Sequence, residues 1–170
     1  MAGRRARRGP LRRRPDSGAA AVEFALVAPI LFTVLFGTLQ YGLYFFDAHG
    51  TRTGIREAAR EGVVKTFTSC GSESTDLGKL RCTTKSKIDA VTGPVAVRVR
   101  APQGWVRGKP LVVCAMVQSD GAVGMLPMPG GGLITSKTDM SIEVEGAAAP
   151  TPASLSVEDA ALSGADWSWC

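Results

Sequence analysis

The chain has one histidine, His49, in 170 residues, and aromatic side chains make up only 6% of it. With a single imidazole, no Ser-His-Asp or Cys-His unit can be built on any other histidine. The four cysteines contain no C-x-x-C pair, so the usual spacing of a zinc site is missing too. There is no G-x-x-x-x-G-K-[ST] loop to cradle a phosphate, and Gly130-Gly131-Gly132, which follows Pro127-Met128-Pro129, reads as a turn. Charge is absent as well: no Asp, Glu, Lys or Arg lies between Glu23 and Asp47. These absences remove the common routes to catalysis. The expectation is a chain that is not an enzyme and needs no metal or cofactor.

What charge there is sits in one place. The formal net charge is +5, and seven arginines before Gly18, set against Asp16 and Glu23, account for all of it. The remainder, from Asp47 onward, is formally neutral. A basic arm ahead of an apolar run is the pattern of a cytoplasmic N-terminus, because translocation disfavours Lys and Arg. No aromatic residue interleaves the arginines, so contact with anionic lipid heads accounts for the arm better than nucleic acid does.

The uncharged run Phe24–Phe46 would span about 34 Å as a helix at ~1.5 Å per residue, against a hydrocarbon core of roughly 30 Å. Pro29 removes one backbone donor and favours a kink. Thr33, Thr38 and Gln40 suit a helix that packs against protein as well as lipid. Tyr41, Tyr44, Phe45 and Phe46 gather at the far end as an interfacial belt. A cleaved secretory signal fits poorly, since the apolar core is too long and Tyr44-Phe45-Phe46-Asp47-Ala48-His49 has no A-x-A pattern. An uncleaved anchor stays open. Glu23 is the anomaly, an ionisable group at the mouth of an apolar span.

Helical spacing continues past the run. Ile55, Ala58, Ala59, Gly62 and Val63 share one face at i, i+3, i+4 intervals. Arg52, Arg56 and Arg60 share another, where Glu57 and Glu61 are placed to pair with them across single turns. Gly50 and Gly54 are the expected weak point of a helix of about 45 residues.

Beyond it the chain reads as α+β: one long N-terminal helix with a small antiparallel β-sheet domain. Strands are expected at Val95–Arg100, at Leu111–Gln118 and within Leu133–Val144, separated by Gly/Pro turns. The expected divisions are a basic leader 1–18, a membrane helix 19–46, its exterior continuation 47–66, a disulfide-bonded β-rich domain 67–145, and a linker and tail 146–170. Gly146–Ser156, rich in Ala, Pro, Ser and Thr, reads as the linker. Four cysteines fit an oxidising exterior and allow three connectivities. Cys70–Cys82, closing a polar loop, together with Cys114–Cys170, stapling the tail to the sheet, is the favoured set; a free buried Cys114 is the alternative. Trp105, Trp167 and Trp169 read as packing anchors.

The segment Gly18-Ala19-Ala20-Ala21-Val22-Glu23-Phe24-Ala25-Leu26-Val27-Ala28-Pro29-Ile30-Leu31 resembles the N-terminus of TadE-like pseudopilins of the tight-adherence (Flp, type IVb) pilus system, and Ala58-Ala59-Arg60-Glu61-Gly62 resembles the segment that succeeds the membrane helix there. The likeness covers roughly residues 17–65. It implies a minor pilin-like subunit that a prepilin peptidase cuts between Gly18 and Ala19. Glu23 and Phe24 would then be the assembly and recognition pair, with Glu23 meeting the new N-terminal amine of a neighbouring subunit. The partners implied are the peptidase, other pilin or pseudopilin subunits with the assembly machinery, and membrane lipid. The place implied is the bacterial inner membrane, crossed once with the C-terminus outside, in association with the pilus. The competing expectation is an uncleaved single-pass envelope protein whose exterior domain binds a partner.

Overall fold

A computed structural model of the chain describes residues 17–66, 70–71, 73–120, 124, 126–145, 155–162 and 164–170. The arginine arm, residues 1–16, and residues 146–154 of the expected linker lie outside them.

The first element, α1, runs unbroken from Ser17 to Val64, 48 residues and about 72 Å at ~1.5 Å per residue. Pro29 lies inside it, and the Thr33 hydroxyl donates to the Pro29 carbonyl at 2.7 Å. Gly50 and Gly54 are not its weak point. They are where the rest of the chain comes closest: a Cβ on Gly50 would lie 2.7 Å from the Asp89 carbonyl oxygen, and one on Gly54 2.7 Å from that of Lys87. The helix propensity lost at each glycine, about 1 kcal/mol, is offset by this packing. The helix closes in a Schellman turn. Thr66 N–H bonds to the Glu61 carbonyl and Lys65 N–H to that of Gly62, with Lys65 at φ 55°. Glycine usually takes that left-handed position; here Lys65 is held by Asp76 at 2.6 Å and by the face of Trp105.

A second helix, α2 (Asp76–Lys87), occupies part of what the sequence suggests is a polar loop. Thr75 caps it, its hydroxyl accepting from Gly78 N–H, with Asp76 in the first turn and Lys85 and Lys87 in the last, all favourable to the helix dipole. Its buried side carries Leu77, Leu80 and Thr84.

Four strands form one antiparallel sheet in the order β3-β2-β1-β4: β1 Val95–Arg100, β2 Pro110–Gln118, β3 Leu133–Ser141 and β4 Ser156–Glu158. The central β2 is buried on both faces, which explains its unbroken apolar run. On one face Val97, Val99, Leu111, Val113, Ala115 and Val117 pack against α1 and α2 through Ile55, Ala58, Ala59, Val63 and Leu80. On the other, Ala96, Val112, Cys114 and Met116 are covered by the C-terminal tail through Trp167 and Cys170. Strand β4, at the end of the expected linker, pairs with β1 from Arg98↔Glu158 to Arg100↔Ser156.

Candidate functional site

From Gly18 to Leu35, α1 is exposed at every position but Ala28. Its large apolar side chains from Val22 to Leu35 all face solvent. By length and composition this helix is able to cross a membrane. Gly18, Ala19, Glu23 and Phe24 lie along it, all exposed, with Phe24 at 64%. A Cβ on Gly18 would meet nothing within 4 Å. Glu23 has no hydrogen-bond or ion-pair partner among the described residues. These four residues are thus brought together only by helical spacing, on a surface nothing else in the described chain covers. Ala19 and Glu23 are one turn apart on the same side.

The folded head begins to cover α1 at Gly37, well before Asp47. Gln40 is 0% exposed. Its side-chain amide donates to the Leu126 carbonyl at 2.6 Å and its oxygen accepts from Leu126 N–H at 3.2 Å, so both ends of the amide are satisfied by one residue. Tyr41 Oη donates to the Pro127 carbonyl at 2.9 Å, and a Cβ on Gly37 would lie 2.9 Å from Leu126 Cδ1. Tyr44 packs on the core. Two of the four aromatics expected to form an interfacial belt are therefore engaged by protein, and Phe45 and Phe46 remain outward.

Two turns further on, Asp47 is also 0% exposed. Its carboxylate accepts from Val91 N–H at 2.9 Å and from the Thr92 hydroxyl, which also contacts Ser119 Oγ at 2.9 Å. Asp47 is a locking pin between α1 and the 91–93 turn. The expected pairing of Glu57 and Glu61 with the arginines of α1 does not occur. Both bond to Lys87 Nζ, at 2.7 and 3.0 Å, because α2 ends on their side of the helix. Donation to Glu57, then to Glu61, holds the Lys87 amine above its ordinary value. Arg52, Arg56 and Arg60 stay exposed along the adjacent stripe.

The tail is fastened chemically. Cys70–Cys82 and Cys114–Cys170 are the two disulfides, with Cα–Cα distances of 5.8 and 6.2 Å, and no cysteine is free. Arg98 Nη1 donates to the Trp167 carbonyl at 3.0 Å and Arg100 Nη1 to the Cys170 main-chain oxygen at 2.9 Å, so alternate residues of β1 grip the tail. Within it, the Ser168 hydroxyl and then its N–H hold the Asp166 carboxyl below the usual carboxylate range. Trp105 and Trp167 are buried and Trp169 half-buried. Among the described residues no group of three or more His, Cys, Asp or Glu side chains is placed to hold a metal ion.

Two features escape a reading of the sequence: Asp47 as a buried anchor, and the grip of Arg98 and Arg100 on the tail. A lone Asp seven residues after a lone Gln, both at the end of an apolar run and on one helical face, is the available signal for the first. Arginines at alternate positions of an otherwise apolar strand are the signal for the second.

The family model described as TadE-like protein matches residues 18–62. This chain carries a TadE-like segment. The match begins at Gly18 and stops two residues short of the end of α1, so the TadE-like segment and the long helix are nearly the same object. It takes in Gly18, Ala19, Glu23 and Phe24 together with Gln40 and Asp47. The sheet and tail lie outside it. No match to this chain was found among curated proteins or among solved structures. The matched segment is thus a helix that is apolar, exposed along its first part and, by length and composition, able to cross a membrane.

Proposed function

We propose that this chain is a minor pilin-like subunit of a tight-adherence type IVb pilus. It is inserted with residues 1–18 in the cytoplasm and its disulfide-bonded head outside the inner membrane, and a prepilin peptidase cuts it after Gly18. The observation that carries the reading is the bare, TadE-like half of α1 with Glu23 near its start, unpartnered among the described residues. A carboxylate in a low-dielectric setting is costly unless paired. Cleavage creates an amine at Ala19, and a neighbouring subunit in a helical array presents that amine to Glu23. Within one chain the same amine lies one turn from Glu23, so pairing between chains competes with a local i, i+4 contact.

Co-expression with a prepilin peptidase is the direct test. Intact mass should fall by that of residues 1–18, leaving Ala19 as the first residue, and Gly18→Ala should block the change. A full-length mass in the presence of active peptidase would sink the reading. The second reading, an uncleaved anchored envelope protein, is favoured by the self-contained head, closed by two disulfides and a clamped tail. It expects Gly18 and Glu23 to tolerate substitution.

A further inference from the structure

The turn that grips α1 at Gln40 sits at an unexpected depth. Gln40 precedes Asp47, the first charged residue after Glu23, by about 10 Å along the helix at ~1.5 Å per residue. Between them Phe45, 65% exposed, and Phe46 point outward. A helix placed with these phenylalanines at the membrane surface puts residues 126–129 below them, on the lipid side.

Most of the turn's polar backbone groups are already bonded. Irregular backbone survives at membrane depth only where its polar groups are satisfied. Gln40 satisfies both the N–H and the carbonyl of Leu126, Tyr41 satisfies the Pro127 carbonyl, and Gly131 N–H satisfies that of Met128. Pro127 and Pro129 have no N–H to satisfy. No charged residue occurs from Leu126 to Ser136. Pro127 and Pro129 are exposed, and Leu39 on the neighbouring turn of α1 is exposed as well, so the outward surface is apolar and continuous with the bare helix.

From this we infer that the turn Leu126–Pro129 is a second membrane contact, which dips into the lipid surface beside α1 and seats the head on the bilayer. The inference rests on the reading of α1 as a membrane anchor. It commits to lipid as the occupant, because the surface carries no charge for a protein partner to read and prolongs the lipid-facing helix.

The test uses the full chain in phospholipid nanodiscs, with a nitroxide at Pro129→Cys and, separately, at Pro127→Cys, the native cysteines being disulfide-bonded. Leu31→Cys on the bare helix and Arg107→Cys in the β1–β2 connection are the lipid and water references. Power saturation compares collisions with molecular oxygen, which concentrates in lipid, and with a water-soluble nickel chelate. At least one turn label should give an oxygen-to-nickel ratio close to that of Leu31 and several-fold above that of Arg107. Ratios like Arg107 at both turn positions, with Leu31 still lipid-like, overturn the inference and leave the anchor standing. Shielding of both turn labels from both reagents means a protein covers the turn, and this also overturns it. A water-like Leu31 removes the anchor reading, and the inference with it.

Discussion

At the scale of single residues, the junction between helix and head depends on a few tight contacts. Gly54→Ala would force a Cβ to within 2.7 Å of the Lys87 carbonyl oxygen and 3.0 Å of Ile88, which are backbone and core atoms with little room to move. Overpacking of this kind costs about 1–3 kcal/mol. A lowered urea midpoint for the detergent-solubilised chain is the expected result, and an unchanged midpoint would show that α1 and the 87–89 segment separate easily. Asp47→Ala strands the Val91 N–H and leaves the Thr92 hydroxyl only Ser119 Oγ, a loss of roughly 1–3 kcal/mol by the cost of an unsatisfied buried donor. Amide exchange at Val91 should then speed up. Lys87 makes a pH prediction. Its amine is raised in the folded state, so its contribution is complete below the ordinary lysine value of 10.5 and is lost as pH climbs through the folded value. Lys87→Gln should therefore flatten the alkaline fall in melting temperature. The Lys87 side chain is half-buried but its partner Glu57 is exposed, and added salt should shrink the difference.

At the scale of elements, what could be read from the sequence tracked hydrophobic period. Helix α1 was legible because Ile55, Ala58, Ala59, Gly62 and Val63 repeat with helical spacing, and β1, β2 and β3 because each carries alternating or continuous apolar residues bounded by Gly and Pro. Helix α2 was not. Gly78, Thr83, Thr84 and Ser86 are indifferent helix formers, and only Leu77 and Leu80 mark a buried side, so tertiary packing and the Thr75 cap decide the conformation. Strand β4 is three residues long and carries one apolar side chain, too little pattern to detect. The disulfide pairing was legible as a preference among three sets, since closing a short loop and stapling a tail are the simplest uses of four cysteines. The two bridges should differ in effect. In the chain-entropy model, a loop of 12 residues is stabilised by roughly 3 kcal/mol and one of 56 by roughly 4 kcal/mol. Replacing Cys114 and Cys170 with alanine should thus lower the urea midpoint more than replacing Cys70 and Cys82. It should also red-shift tryptophan fluorescence, because Trp167 lies on the sheet beside the bridge. Equal losses, with no spectral shift, would mean that Arg98 and Arg100 hold the tail unaided.

At the scale of the whole molecule, bare helix and folded head are parts of one continuous element, so the two ends cannot turn independently. Each residue added to an α-helix rotates one end against the other by about 100°, and seven come within about 20° of two full turns. Inserting one alanine between Leu31 and Phe32 should swing Glu23 about 100° around the axis relative to the sheet. Inserting seven should nearly restore its bearing while moving it about 10 Å along the axis. If subunits meet through Glu23 at one end and the head at the other, the single insertion should abolish crosslinking between copies. The sevenfold one should leave the direction correct and the height wrong. The unbroken run from Ser17 to Val64 is, in this sense, a keyed shaft: it fixes the compass heading of Glu23 relative to the faces of the folded head.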